Sequence, residues 1–284
     1  MLISGLWIIV TSSLLAISTG LLGCLLMLRR SAMLGDAISH SVLPGIVMAY
    51  LLTGQKSSIA LFVGAIILGV GVSLMIEFIQ KRFSVQNDAA IGLSFTFLFA
   101  VGVILISIFA QDIDLDQDCV IYGELAYIPL DLWTTPTGLN LGPRAFWILL
   151  ALAIINISFV GLAYKELQVS IFDPLFAQAT GLHPQVWHYV QVVLVSLTVV
   201  AAFEVVGAIL VIAFLVTPAA TAYLISHRLW SFLGLSCLWG ITASIGGYLL
   251  AWWSGGTIAG AIALIAGIQF LIVLIISKIA KSKA

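Results

Sequence analysis

Charge is what this sequence has least of: only 8% of its 284 residues are Asp, Glu, Lys or Arg, and 62% are hydrophobic. That balance excludes a water-soluble domain. The net charge of −1, with no long basic tract, gives no support to nucleic acid as a partner, and none is expected. Cysteine is scarce too. Cys24, Cys119 and Cys237 are odd in number and far apart, so neither a disulfide framework nor a thiolate metal site follows. The Gly-x-x-x-x-Gly-Lys-[Ser/Thr] phosphate loop is missing, and Gly54-Gln55-Lys56-Ser57 lacks its spacing. No His-Glu-x-x-His helix and no Gly-x-Ser-x-Gly elbow occurs. The chain is therefore not expected to be an enzyme, and any ATP hydrolysis it depends on must occur on another subunit.

What is abundant is uninterrupted apolar sequence. Nearly uncharged runs longer than about 18 residues recur, each enough to cross a bilayer. They extend from about Leu6 to Leu28, Met33 to Leu52, Ile59 to Ile79, Ala89 to Ala110, Ala145 to Tyr164, Tyr189 to Ile225, Trp230 to Trp253 and Thr257 to Ser277. The expected fold is all-α, a polytopic helical membrane protein with about 8–9 transmembrane helices, in one domain over residues 1–284. No basic residue precedes the first run, so it is expected to be a retained helix rather than a cleaved signal peptide.

Basic residues orient such a chain. If Arg29 and Arg30 are cytoplasmic, the N-terminus lies outside, Lys81, Arg82 and Lys165 fall inside, and Lys56 and Arg144 fall outside. A single crossing from Tyr189 to Ile225 would leave Arg228, Lys278, Lys281 and Lys283 outside; two crossings bring them in. A helix broken near Glu204 to Gly207 is therefore expected, with the C-terminus cytoplasmic. Its first half, Tyr189 to Phe203, would span only about 22 Å.

Against this background Met33 to Met48 stands out, because it places Asp36 and His40 inside an apolar span. Four residues apart, they share one helical face and can reach one ion. Ionisable groups at membrane depth usually mark an ion pathway, although a hydrogen bond to a neighbouring helix would also use them. Pro44 cannot donate the backbone bond that the His40 carbonyl would accept, and Gly45 loosens the same turn. Ser39 and Pro44 are candidate pathway-lining residues beside them. Glu204, an acidic residue at the expected break, suits either a lining role or a structural hydrogen bond.

The loops carry further signals. Residues 111–144, external on this topology, hold Asp112, Asp114, Asp116, Asp118, Glu124 and Asp131. That stretch suits a cation-concentrating vestibule, a solvated loop or a docking surface. Within the cytoplasmic segment 165–188, Asp173 can cap a short helix, Pro174 suits its first position, and Gly181 ends it. Leu175 and Phe176 are then available to a cytoplasmic partner, unless the helix is an ordinary connector. Gly256-x-x-x-Gly260 and Gly267 suit close helix packing, and His183, His188 and His227 read as boundary residues.

One carboxylate and one imidazole are too few to hold a divalent cation. Two copies meeting across a two-fold axis would supply two Asp oxygens and two His nitrogens. Such donors suit manganese, iron or zinc, do not decide between manganese and zinc, and disfavour copper(I). Rival readings are a proton-coupled secondary transporter, with the proton on Asp36 or Glu204, and a haem-binding membrane protein ligated by His40.

Leu-Arg-Arg-x-x-Met-Leu-Gly-Asp-Ala-Ile-Ser-His-Ser-Val-Leu-Pro-Gly, residues 28–45, resembles the signature of the membrane subunits of bacterial ABC importers for manganese, zinc and iron. Residues 172–182 resemble that family's cytoplasmic coupling segment, and residues 206–222 its late-helix motif. The resemblance implies a homodimeric permease in the bacterial inner membrane, distantly similar in fold to the cobalamin and siderophore importers. Two ABC ATPase subunits would dock at Asp173, Pro174, Leu175, Phe176 and Gly181, and an extracytoplasmic metal-binding protein would deliver the ion. Asp36 and His40 match the family's metal-coordinating positions. Leu115 to Leu125 looks more like the manganese-type members. No tightly bound cofactor is implied, the metal being cargo: Mn2+, or alternatively Zn2+ or Fe2+. Because an imidazole binds metal only when neutral, uptake should weaken as pH falls from about 7.5 to about 5. Uptake indifferent to pH over that interval would count against His40.

Overall fold

The computed structural model of the chain describes residues 2–53, 58–109, 125–134 and 140–282. Its helices are α1 (Leu2–Leu28), α2 (Leu34–Thr53), α3 (Ser58–Phe83), α4 (Asn87–Phe109), α5 (Arg144–Leu162), α6 (Tyr164–Phe172), α7 (Pro174–Ala179), α8 (Pro184–Val206), α9 (Ala208–Tyr223), α10 (Leu229–Ser254) and α11 (Ile258–Ser282). Seven of them are long and apolar enough to cross a membrane: α1, α3, α4, α5, α8, α10 and α11. Between them sit α2, which carries the polar stretch, and the shorter apolar α9. Among the described residues seven helices of membrane length stand where about 8–9 were expected, and α2 and α9 occupy the positions of the other expected spans.

The described part of the expected external loop, residues 125–134 and 140–143, carries regular structure. Strands β1 (Leu132–Thr134) and β2 (Asn140–Pro143) pair antiparallel in a small hairpin before α5. Leu125 and Ile128 are buried against the helices, and the Trp147 indole N–H donates to the Leu141 carbonyl at 3.0 Å. Residues 110–124, which carry Asp112 to Glu124, Cys119 and most of the stretch Leu115 to Leu125, lie outside the described residues, as do Gly54 to Ser57.

The long run from Tyr189 to Ile225 is two helices, meeting at Gly207. Its φ of 79° is a conformation glycine adopts without penalty, and its N–H closes α8 on the Phe203 carbonyl at 3.0 Å. The break falls where the charge count requires it. The lengths are the reverse of the expectation, however. Pro184 occupies the first turn, so α8 starts five residues before Tyr189 and has 23 residues, about 35 Å, whereas α9 has only 16, about 24 Å.

Helix α1 is the hub, packing on α5, α8, α9 and α10, while α2 lies among α3, α4, α8 and α9. Inside a bilayer, association depends on close packing and buried polar contacts rather than on apolar burial. Small residues make those approaches. Gly20 lies against Ser236, whose hydroxyl donates to the Gly20 carbonyl at 3.3 Å, and a Cβ on Gly240 would come 2.8 Å from the Ala16 Cβ. Gly23 meets the Leu215 backbone of α9, and Gly247 meets the Ile262 backbone of α11. Within one copy the Gly256-x-x-x-Gly260 pattern makes no such approach: Gly260 meets Thr257 of its own segment, and Gly267 has nothing within 4 Å. Spacing did not mark the glycines at these crossings because it does not say which helices are neighbours.

A buried polar junction adds to this packing. Asn156 of α5, fully buried, donates to Ser18 of α1 at 2.6 Å and to Thr198 of α8 at 2.9 Å. Where no water competes, each such bond contributes roughly 1 kcal/mol. At one end of the bundle the turn after α1 is tied to its neighbours: the Asn87 amide of α4 donates to the Arg30 carbonyl at 2.6 Å, and Arg29 donates to Ser170 of α6 at 3.2 Å. Tyr189 of α8 donates to Glu77 of α3 at 2.6 Å, and Tyr164 of α6 stacks on Trp230 of α10. Arg29, Arg30, Lys81, Arg82, Lys165 and Arg228 are gathered at this end.

Gly23→Ala must push α1 off the α9 backbone and is expected to cost about 1–3 kcal/mol. Gly161→Ala, with nothing within 4 Å, should be tolerated. Thermal unfolding of the two purified variants checks this. An equal effect of both would show that the α1–α9 approach is not a limiting contact.

Candidate functional site

Asp36 lies in the first turn of α2, where a carboxylate meets the positive end of the helix dipole. One turn later, His40 brings its Nε2 to 3.4 Å from Asp36 Oδ1. Two donors each about 2.1 Å from one ion in tetrahedral arrangement stand about 3.4 Å apart, so this separation suits two ligands of a single cation. Both side chains remain partly open, Asp36 at 28% and His40 at 40%. Among the described residues, no third His, Cys, Asp or Glu joins them.

Behind this pair α2 is firmly held. Ala37 and Ile38 are fully buried; Ile38 and Ser196 of α8 both lie against Gly69 of α3. Gly35 sits under Leu215 of α9. The helix runs unbroken through Pro44, contrary to the loosened turn expected there. Gly45 is the reason α3 can cross so closely: a Cβ there would lie 2.8 Å from Ala65 Cα and 2.9 Å from the Gly64 carbonyl. Pro44 is buried and faces α4, where a Cβ on Gly102 would lie 2.9 Å from its Cδ.

Of the expected lining residues, Ser39 is 2% exposed, with its hydroxyl donating to the Gly35 carbonyl at 2.9 Å. Glu204 falls in the last turn of α8, three residues before Gly207; its side chain is outside the described set. The structure thus brings together Asp36 and His40, and places Pro44 on their helix one turn beyond His40. What sequence reasoning did not find is the aromatic flank of the histidine. The His40 ring stacks on Phe95 at 5.4 Å between centroids and meets Phe99 edge-on at 5.7 Å, both from α4. Their i,i+4 spacing was visible, but its pairing with α2 is a tertiary fact.

The capped helix expected at Asp173 is present as α7. The Asp173 carboxylate accepts the Phe176 N–H at 3.0 Å, Pro174 starts the helix, and Gly181, at φ 82°, ends it, with the Leu182 N–H returning to the Ala177 carbonyl at 2.9 Å. Leu175 is 79% exposed and Phe176 56%. Ala177 is buried and anchors α7 to the bundle. His183 precedes α8 at its cap position, His188 lies in its first turns, and His227 is exposed in the turn before α10. Burial pushes the Arg29 guanidinium below its ordinary value, a cost set against the tie it makes to α6 beside α7.

Comparison with known proteins agrees over nearly the whole chain. The model of a family described as the ABC 3 transport family matches residues 5–277. The manganese transport system membrane protein MntD of Bacillus subtilis (strain 168) is 43% identical over 266 residues, covering 93% of this chain and 89% of that one. The zinc transport system membrane protein TroD of Treponema pallidum (strain Nichols) is 40% identical, covering 95% and 73%. Among solved structures, PsaBC from Streptococcus pneumoniae in complex with Fab superposes with a TM-score of 0.76 at 31% identity, covering 94% of this chain and 89% of that one.

Proposed function

The chain belongs to the ABC 3 transport family, and from that membership we propose that it is the permease subunit of an ATP-driven importer of divalent metal, with Mn2+ as its cargo. It is a multi-pass protein of the plasma membrane, and the family's permease subunits leave ATP hydrolysis to other components of the transporter. The observation that carries the reading is the Asp36–His40 pair, two metal-suited donors 3.4 Å apart and partly open on a helix buried among others. Manganese is favoured because relatives named for manganese transport predominate. A zinc importer is the second reading, supported by TroD.

Two copies bring their Asp36 and His40 side chains to one cation across a two-fold axis. An external metal-binding protein releases the ion into the outward-facing dimer, and the four side chains hold it briefly. Each of two ATPase subunits docks at one copy's Asp173 to Gly181 segment, and their closure on ATP opens the inner side. The exposure of Leu175 and Phe176 on a capped, anchored helix supports this docking. The gathering of Arg29, Arg30, Lys81, Arg82, Lys165 and Arg228 at the same end supports a cytoplasmic location for that end, an external N-terminus and a cytoplasmic C-terminus. Asp and His donors without thiolates retain the ion weakly enough for release.

Uptake of radioactive manganese, competed with zinc and iron, tests the reading in cells co-expressing the chain, its ATPase and its binding protein. Asp36→Ala and His40→Ala should each lower uptake by more than about tenfold, with membrane abundance and ATPase binding unchanged. The competition order names the preferred metal. Normal uptake by both variants would make the pair structural and sink the proposal.

A further inference from the structure

His40 is held by more than its own helix. Asp36 meets its Nε2, and the rest of the ring lies against two aromatic faces of α4, Phe95 stacked at an interplanar angle of 29° and Phe99 edge-on at 81°. Seven residues beyond Phe95 and three beyond Phe99, Gly102 brings the α4 backbone against the Pro44 ring. Helix α4 is therefore fixed to α2 at two levels, and the aromatic contacts do not depend on a loosely placed element.

We infer that Phe95 and Phe99 are positioning residues of the metal site, setting the orientation of the His40 imidazole and closing one flank of the site to water and to additional donors. The inference rests on the reading of Asp36 and His40 as metal ligands. Metal-binding histidines are ordinarily oriented by hydrogen-bond partners around them. Among the described contacts of His40, the flanking partners on α4 are instead two rings. Stacking on one face and an edge contact on another restrict rotation of the imidazole, and aromatic pairs of this geometry contribute beyond simple area burial. A ring so restrained keeps Nε2 toward Asp36 without an induced rearrangement when the ion arrives.

The same rings limit what the site can offer. Phenyl groups supply no donor atom, so on the α4 side the cation gains neither a ligand nor a water path, and its remaining coordination must come from the open side of the pair. Phe99 is 39% exposed, so this flank extends to the rim of the site rather than ending in the core. Strong retention would follow from added donors there; the rings withhold them. They are therefore expected to sharpen binding through geometry while leaving release possible.

The test uses the complete permease–ATPase assembly in lipid nanodiscs, without the binding protein, titrated with MnCl2 and followed through the magnetic resonance signal of free Mn2+. Phe99→Leu, partly exposed and so compatible with folding, should raise the dissociation constant about threefold, and Phe95→Leu combined with Phe99→Leu on the order of tenfold. Phe99→Tyr, which keeps the ring, should stay within a factor of about two of wild type. The unfolding temperature of Phe99→Leu should remain that of wild type, so a changed affinity is not a folding defect. Unchanged Mn2+ affinity in Phe99→Leu and in the double variant overturns the inference, as does a loss that Phe99→Tyr shares equally. His40→Ala is measured alongside: if it binds Mn2+ as tightly as wild type, the metal-site reading itself fails. If His40→Ala abolishes binding while the leucine variants do not change it, only the role of the rings fails.

Discussion

The cost of placing ionisable groups within an apolar helical bundle is the constraint on which the arrangement of this protein depends. A carboxylate and an imidazole facing lipid would each cost several kcal/mol, so the helix carrying them has to be enclosed by protein or open to a watery cavity. Helix α2 meets that condition. It is enclosed by α3, α4, α8 and α9 on its buried side, while Asp36 and His40 stay partly open in its first half and Met48, Leu51 and Leu52 are exposed toward its far end. The openness at Asp36 and His40 is what a second copy and a passing ion would fill.

Enclosure of α2 requires close crossings, because apolar side chains gain little by leaving lipid for protein. Gly45 and Gly64 let α2 and α3 approach to backbone contact, Gly102 does the same for α4 at Pro44, and Gly23 does it for α1 and α9. The contacts at Gly45, Gly64 and Gly102 remove slack from the helix that holds the candidate ligands. The polar ties at the basic end, Glu77 with Tyr189 and Arg29 with Ser170, connect α3 to α8 and α1 to α6 close to α7. A push on Leu175 and Phe176 thus meets a hydrogen-bonded set of helix ends rather than a free loop.

Local features were legible from the sequence because they depend on adjacent residues. The Asp36–His40 pair, the Asp173 cap, the Gly181 stop and the break at Gly207 all follow from spacing along one segment and one residue's conformational freedom. The start of α8 was misplaced because hydropathy favours Tyr189, whereas Pro184 and the capping geometry begin the helix sooner. The β1–β2 hairpin was hidden in a stretch whose acidic and proline content reads as loop. Pairings between distant segments were not legible at all. Phe95 and Phe99 look like ordinary apolar positions until α4 is laid against α2, and the glycines that permit crossing differ from those with the familiar spacing.

The central claim is that one cation is shared by two copies of the pair. The most direct measurement is the number of histidine nitrogens bound to Mn2+ in the purified assembly, counted by pulsed electron paramagnetic resonance together with the ion-to-chain ratio. Two coordinated imidazole nitrogens and one ion per two chains are the predicted result. One nitrogen with one ion per chain, or none, would contradict the shared site.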